Sequence, residues 1–107
     1  KSILGNRFTY QKYDSDSLIC SIHFGMLAKD TDERKKIIKA LEDNGVETRI
    51  FSAGNLGLHP FWFERYGKFS APMADRIHYS GLFLPNNPSL KKEDIEFIAK
   101  VVLDSIK

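Results

Sequence analysis

Two stretches of helical periodicity limit the fold of this chain more than any other feature of its 107 residues. The first, residues 30–44, begins at a capping residue, Asp30, and is followed by Gly45, which suits the left-handed backbone just past a helix end. Its apolar stripe consists of Ile37, Ile38 and Leu41. In the second, residues 89–106, apolar side chains recur at the same spacing, at Ile95, Ile98, Ala99, Val102 and Ile106. Both stretches are predicted to be amphipathic helices, and each must bury its apolar stripe against another layer.

Three short apolar runs are predicted to be strands, at residues 18–28, 46–51 and 82–84. In the first run, alternate residues fall on one face, which is predicted to be the core face and consists of Leu18, Cys20, Ile22, Phe24 and Met26. Pro60 and Pro72 favour two short helices, since proline is well accommodated in the first turn. The pattern predicts an α/β chain of the α+β type, a two-layer sandwich in which helices cover a sheet of three or four strands.

A chain of this length is expected to form one domain. Residues 1–17 are polar and irregular, and we interpret them as a connector. The domain itself is then predicted to comprise residues 18–107.

The composition argues against several classes of protein. The formal net charge is +2, and basic and acidic residues are interspersed, so no basic surface for nucleic acid is expected. No apolar run is long enough to cross a membrane, so no membrane partner is expected. The single cysteine, Cys20, cannot form an internal disulfide, which favours a reducing, cytoplasmic location.

No complete catalytic motif occurs in the sequence, which lacks a glycine-rich phosphate loop, a nucleophile elbow and a cluster of metal ligands. The histidines, His23, His59 and His78, fall in different predicted elements, so a metal site is not expected. We therefore assign no catalytic, cofactor-binding or metal-binding residue within this chain.

Three candidate binding residues lie between positions 47 and 60, where a predicted strand runs into a turn rich in glycine and asparagine. Arg49 suits bidentate contact with a carboxylate or phosphate, or a surface ion pair with Glu47. Asn55 either turns its amide toward a ligand or only tolerates a left-handed turn. His59 either donates to a ligand at a helix entrance, or caps that helix or stacks on the aromatic residues that follow.

A dense aromatic run follows the third of these residues: Phe61, Trp62, Phe63, Tyr66 and Phe69. Three consecutive aromatic residues cannot all face one sheet from a helix. Either this segment is irregular and wraps the core, or it forms a surface that packs on another domain or subunit.

Several short motifs occur in order along the chain: Phe24-Gly25-Met26-Leu27, Gly45-Val46-Glu47-Thr48-Arg49, Ala53-Gly54-Asn55-Leu56, His59-Pro60, Ala74-Asp75-Arg76-Ile77 and the run from Gly81 to Leu90. Together they resemble the C-terminal domain of the DegT/DnrJ/EryC1/StrS family of pyridoxal-phosphate-dependent sugar aminotransferases and dehydratases. The motif Ala53-Gly54-Asn55 looks closer to the branch of this family that contains sugar 3-dehydratases. Asn87 stands where the family often has histidine. Lys91 stands where it often has a capping threonine, so Ser89 is predicted to begin the last helix.

The resemblance implies the small C-terminal domain of a fold-type I enzyme, connected through residues 1–17 to a missing N-terminal large domain that holds pyridoxal phosphate. It implies a homodimer in deoxysugar or polysaccharide biosynthesis and a nucleotide-linked 4-keto-6-deoxysugar as substrate, contacted by Arg49, Asn55 and His59. The lysine or histidine that meets the cofactor's aldehyde would belong to the large domain. The chain alone is therefore expected to be inactive and to bind no cofactor. The alternatives are a stand-alone binding or protein-interaction module with the same fold and, less favoured, a small independent enzyme.

Overall fold

The sheet is antiparallel, with strand order β1–β2–β3, in a computed structural model that describes residues 4–51 and 54–107. Within those ranges the strands are β1 (Thr9–Tyr10), β2 (His23–Leu27) and β3 (Gly81–Pro85). The helices of the same ranges are α1 (Thr31–Asp43), α2 (Pro60–Tyr66), α3 (Pro72–Ser80) and α4 (Lys92–Ser105), with 3-10 turns at Gly5–Arg7 and Leu56–Leu58. The predicted α/β sandwich is confirmed.

Helices α1 and α4 cover one face of the sheet. Met26 of β2 lies opposite Leu82 of β3, and both side chains are fully buried. The helices contribute the other large side chains that are fully buried in the core, Ile37, Leu41 and Val102. The apolar stripes predicted from the sequence therefore form the second layer of the sandwich, except for Ile95 near the start of α4, which is 51% exposed.

Local signals correctly located α1. Asp30 caps it, since its carboxylate accepts the N–H of Glu33 at 2.8 Å, and Gly45 follows it with φ of 75°. The predicted start of the last helix at Ser89 is wrong. The N–H of Ser89 donates instead to the side chain of Asn87 in a turn, and α4 begins at Lys92, with the N–H of Lys91 donating to Asp94.

The predicted first strand is only partly correct. Strand β2 begins at His23, so Leu18 is 97% exposed and Cys20, predicted to lie in the core, is exposed. Of the five residues assigned to the core face, Met26 is buried and Phe24 packs against the core. Alternation of apolar residues predicts a strand only where a partner strand lies beside it, and the observed pairing of β2 begins at His23.

Residues 4–10, which we assigned to the connector, belong to the domain. Thr9 and Tyr10 pair with β2, and Leu4 and Phe8 are each only 6% exposed in the core. Among the described residues, no helix is both long and apolar enough to cross a membrane.

The predicted strand at residues 46–51 is reduced to one bridge beside β3. Arg49 donates its N–H to the carbonyl of Phe83 at 3.2 Å and accepts the N–H of Phe83 at 2.6 Å. This bridge fixes Arg49 at the edge of the sheet.

Candidate functional site

The sheet face opposite α1 and α4 carries an aromatic group beside Arg49. His23 and Phe83 stack with their ring centres 4.8 Å apart and their planes 7° apart, and the ring of Phe51 lies 4.3 Å from that of Phe83. Gly25 makes this packing possible, because a Cβ there would lie 2.6 Å from the ring of Phe51. Directly paired residues of antiparallel strands share a face, so Arg49 projects on the same side as Phe83.

Arg49 is accessible on this face. Its side chain is 66% exposed and contacts Glu47, also exposed, with 3.2 Å between guanidinium nitrogen and carboxylate oxygen. An exposed pair of this kind contributes little to stability, so an anionic ligand could displace Glu47 at low cost. A cavity of about 250 Å³ is lined by residues that include Arg49, Thr48, His23 and Phe83. The arrangement suits an anionic group bound next to an apolar or aromatic one.

Asn55, in contrast, is buried and already hydrogen-bonded within the chain. It is 6% exposed. Its amide nitrogen donates to the carbonyl of Phe69 at 3.1 Å and to the carboxylate of Asp75 at 2.7 Å, and its amide oxygen accepts the N–H of Gly57 at 2.9 Å. Both donor hydrogens have protein partners. The amide nitrogen could donate to a substrate only if its bond to Phe69 or to Asp75 opened.

Asn55 belongs to a polar cluster, here called the loop clamp, that consists of Asn55, Ser70, Asp75 and His78. The backbone N–H of Asn55 donates to Nδ1 of His78 at 3.0 Å, so this imidazole nitrogen acts as an acceptor. The Ser70 hydroxyl donates to Asp75 as well. Two hydrogen bonds lower the pKa of the Asp75 carboxyl, because they favour its charged form. The bond from Ser70 has the larger effect and the bond from Asn55 the smaller one.

The loop clamp also explains Gly54. This residue has φ of 63°, and a Cβ on it would lie 2.5 Å from Nδ1 of His78. Both the backbone conformation and the close approach of the imidazole therefore require glycine.

His59 precedes α2 and lies near the loop clamp. Its ring centre is 5.7 Å from that of His78 in an edge-on arrangement and 5.9 Å from that of Phe61. It occupies the N-cap position, but its side chain makes no capping hydrogen bond, so the capping alternative is not observed. The half-buried imidazole instead lies at the entrance of the helix, among other aromatic rings.

The structure thus brings two of the three candidate residues together. Asn55 and His59 meet around His78, whereas Arg49 belongs to the open sheet face. No binding role was predicted for Asp75 or His78 from the sequence. The motif that contains Asp75 was visible, but no local signal indicates that it reaches a residue 20 positions away.

The described residues do not fit a pyridoxal phosphate site by themselves. Every lysine within residues 4–51 and 54–107 is exposed. A lysine that forms a Schiff base is commonly activated by removal from water or by a neighbouring cation. In the same ranges, no three metal-ligating side chains come together.

The protein-family model described as the DegT/DnrJ/EryC1/StrS aminotransferase family matches residues 5–103. No match was found among curated proteins.

Solved structures share the fold. A DegT DnrJ EryC1 StrS aminotransferase from Brucella abortus has a TM-score of 0.79 at 16% identity, over 96% of this chain and 27% of that chain. A Streptococcus pneumoniae protein described as a sugar aminotransferase, Spr1654, has a TM-score of 0.79 at 17% identity in its PMP form, over 97% of this chain and 27% of that chain. This chain therefore spans little more than a quarter of the length of these relatives.

Proposed function

Since the chain belongs to the DegT/DnrJ/EryC1/StrS aminotransferase family, we propose that it is the C-terminal small domain of a pyridoxal-phosphate-dependent enzyme that acts on a nucleotide-linked 4-keto-6-deoxysugar. The observation that carries this proposal is a family match over residues 5–103 combined with a length of about a quarter of the solved relatives. A large domain on the N-terminal side of this chain would hold the cofactor. The reaction would be transamination or 3-dehydration.

Within this proposal, the chain binds and orients the substrate. Pyridoxal phosphate, when bound to the large domain, supplies an electron sink. The guanidinium of Arg49 would bind an anionic group of the nucleotide, because its planar fork matches phosphate oxygens. His59 would donate a hydrogen bond to the sugar. The loop clamp would hold the turn that carries His59, so Asn55 would act on the substrate through the loop.

The homodimer and the cytoplasmic location stay part of the proposal. In such a homodimer, Arg49 and His59 would lie near the second subunit. A reducing compartment suits the exposed thiol of Cys20.

Steady-state kinetics of the full-length polypeptide test these roles. Arg49→Ala should raise the KM for the nucleotide-sugar on the order of 10-fold or more, since a hydrogen bond to a charged group contributes about 1.5–3 kcal/mol. The absorbance of the bound cofactor should be unchanged. Lys39→Ala, which removes an exposed cation from α1, is the matched control. Equal KM values in the Arg49 variant and the wild type would remove Arg49 from the site.

One observation favours the stand-alone interaction module as a second candidate. Helix α2 exposes the aromatic rings of Phe61, Trp62 and Tyr66, which a partner protein could cover. This alternative predicts that the natural polypeptide binds no pyridoxal phosphate, so a cofactor absorbance band separates the two candidates.

A further inference from the structure

Helix α2 carries a cluster of aromatic side chains but buries none of its residues. Phe61 and Tyr66 are each 64% exposed, and Trp62 is 39% exposed. A seven-residue helix is too short to be stable by itself, and helices of this length normally owe their stability to packing of an apolar face. The contacts within this chain supply little such packing to α2.

The exposed apolar area continues on both sides of α2. Leu56, in the 3-10 turn before the helix, is 51% exposed, and Phe69, after it, is 61% exposed. Phe69 is held next to that turn, since its N–H donates to the carbonyl of Gly57 at 3.2 Å. We call Leu56, Phe61, Trp62, Tyr66 and Phe69 the aromatic surface.

Basic side chains lie at the edge of the aromatic surface. The guanidinium of Arg65 lies 5.7 Å from the ring centre of Tyr66, and the amine of Lys68 lies 5.3 Å from that of Phe63. Glu64 is the acidic residue of this segment. A complementary partner would therefore present an apolar patch edged by carboxylates. A second copy that met the same surface by two-fold symmetry would bring like charges together.

We propose that the aromatic surface docks onto the large domain of the same enzyme, through an apolar patch edged by acidic side chains. The inference rests on the proposed function. The family relatives support it, because this fold covers 27% of their chains and the remainder is available to cover such a surface. Docking would stabilise α2, and His59 directly precedes the first residue of that helix. The contact between domains would therefore also position His59 toward the substrate.

Hydroxyl-radical footprinting with mass spectrometry tests the docking on two samples, the 107-residue chain and the full-length polypeptide. We expect oxidation of Phe61, Trp62 and Tyr66 to fall several-fold in the full-length polypeptide. Phe97 on α4, which is 46% exposed, is an internal control whose oxidation should change little.

Equal oxidation of the aromatic surface in both samples would overturn the proposal. Protection that appears in the 107-residue chain alone and grows with its concentration would identify a second copy as the occupant, and would also overturn it. Cofactor binding by the full-length polypeptide distinguishes a failure of the docking proposal from a failure of the proposed function. Protection without cofactor binding would refute the proposed function only, whereas cofactor binding without protection would refute the docking only.

A pair of variants tests the effect on His59. In the full-length polypeptide, Trp62→Lys should restore oxidation of Phe61 and lower kcat several-fold while the cofactor absorbance is retained. Phe97→Lys, an equally drastic change on the exposed side of α4, should leave both unchanged. Wild-type kcat in Trp62→Lys, with Phe61 oxidised as in the 107-residue chain, would contradict the positioning role.

Discussion

Replacement of Asn55 by alanine should destabilise the domain far more than replacement of an exposed asparagine. The change removes the hydrogen bonds to Gly57, Phe69 and Asp75. A hydrogen bond between neutral groups contributes about 1 kcal/mol net and one to a charged group about 1.5–3 kcal/mol. The sum, reduced because the three bonds share one side chain, is roughly 3 kcal/mol. For a domain of this size, that loss lowers Tm by more than about 10 °C.

Thermal and urea unfolding of Asn55→Ala and Asn87→Ala provide the measurement. Asn87 is the matched control, because it is exposed and its side chain accepts the N–H of Ser89 in a local turn. Its replacement should cost less than about 1 kcal/mol. Asn55→Ala with wild-type stability but a raised KM in the full-length enzyme would refute the reasoning, since it would make Asn55 a substrate ligand without a structural role.

Three further predictions concern the loop clamp and the core. The pKa of Asp75 is lower in the folded state than in the unfolded state. The charged carboxylate therefore stabilises the fold above the unfolded pKa of about 3.9, and this contribution is lost as pH falls below that value. Urea unfolding of Asp75→Asn across pH should therefore show a weaker loss of stability in acid than the wild type, and an identical slope would contradict the assignment. Gly54→Ala should lower the free energy of unfolding more than Gly45→Ala does. Gly45 has open space around it, so its replacement loses only about 1 kcal/mol to left-handed strain, whereas Gly54 adjoins an imidazole. Equal Tm values for the two variants would show that the loop clamp rearranges to accept the added methyl group. Arg7→Ala should cost about 1–3 kcal/mol in urea unfolding, since it leaves the buried carboxylate of Glu33 without its partner at 2.9 Å, and unchanged stability would show that water replaces the guanidinium.

Residues close to the ends of α1 in the sequence were enough to predict that helix. The features that could not be predicted depend on contacts between residues far apart in the sequence. The cap at Asp30 and the glycine at Gly45 act within a few residues of the helix ends, so they are legible in the sequence. The alternation that placed Cys20 in the core is equally local, but strand formation depends on a partner. The nearest partner, β1, comes from a segment that looked like a connector.

In the candidate site, too, the residue types could be recognised from the sequence but the long-range contacts could not. Arg49, Asn55 and His59 were selected because their residue types suit ligand binding, and the structure leaves Arg49 accessible on the open sheet face. Two of the internal partners of Asn55 are Asp75 and His78, 20 and 23 positions along the chain. Only the folded arrangement of the loop against α3 reveals them.

The assignment of this chain as the small domain of a pyridoxal-phosphate-dependent enzyme is tested by the amount of pyridoxal phosphate retained after dialysis by the full-length polypeptide and by the 107-residue chain. We expect the full-length polypeptide to retain a stoichiometric amount, with its absorbance band, and the 107-residue chain to retain none. Stoichiometric retention by the 107-residue chain, or none by the full-length polypeptide, would refute the assignment.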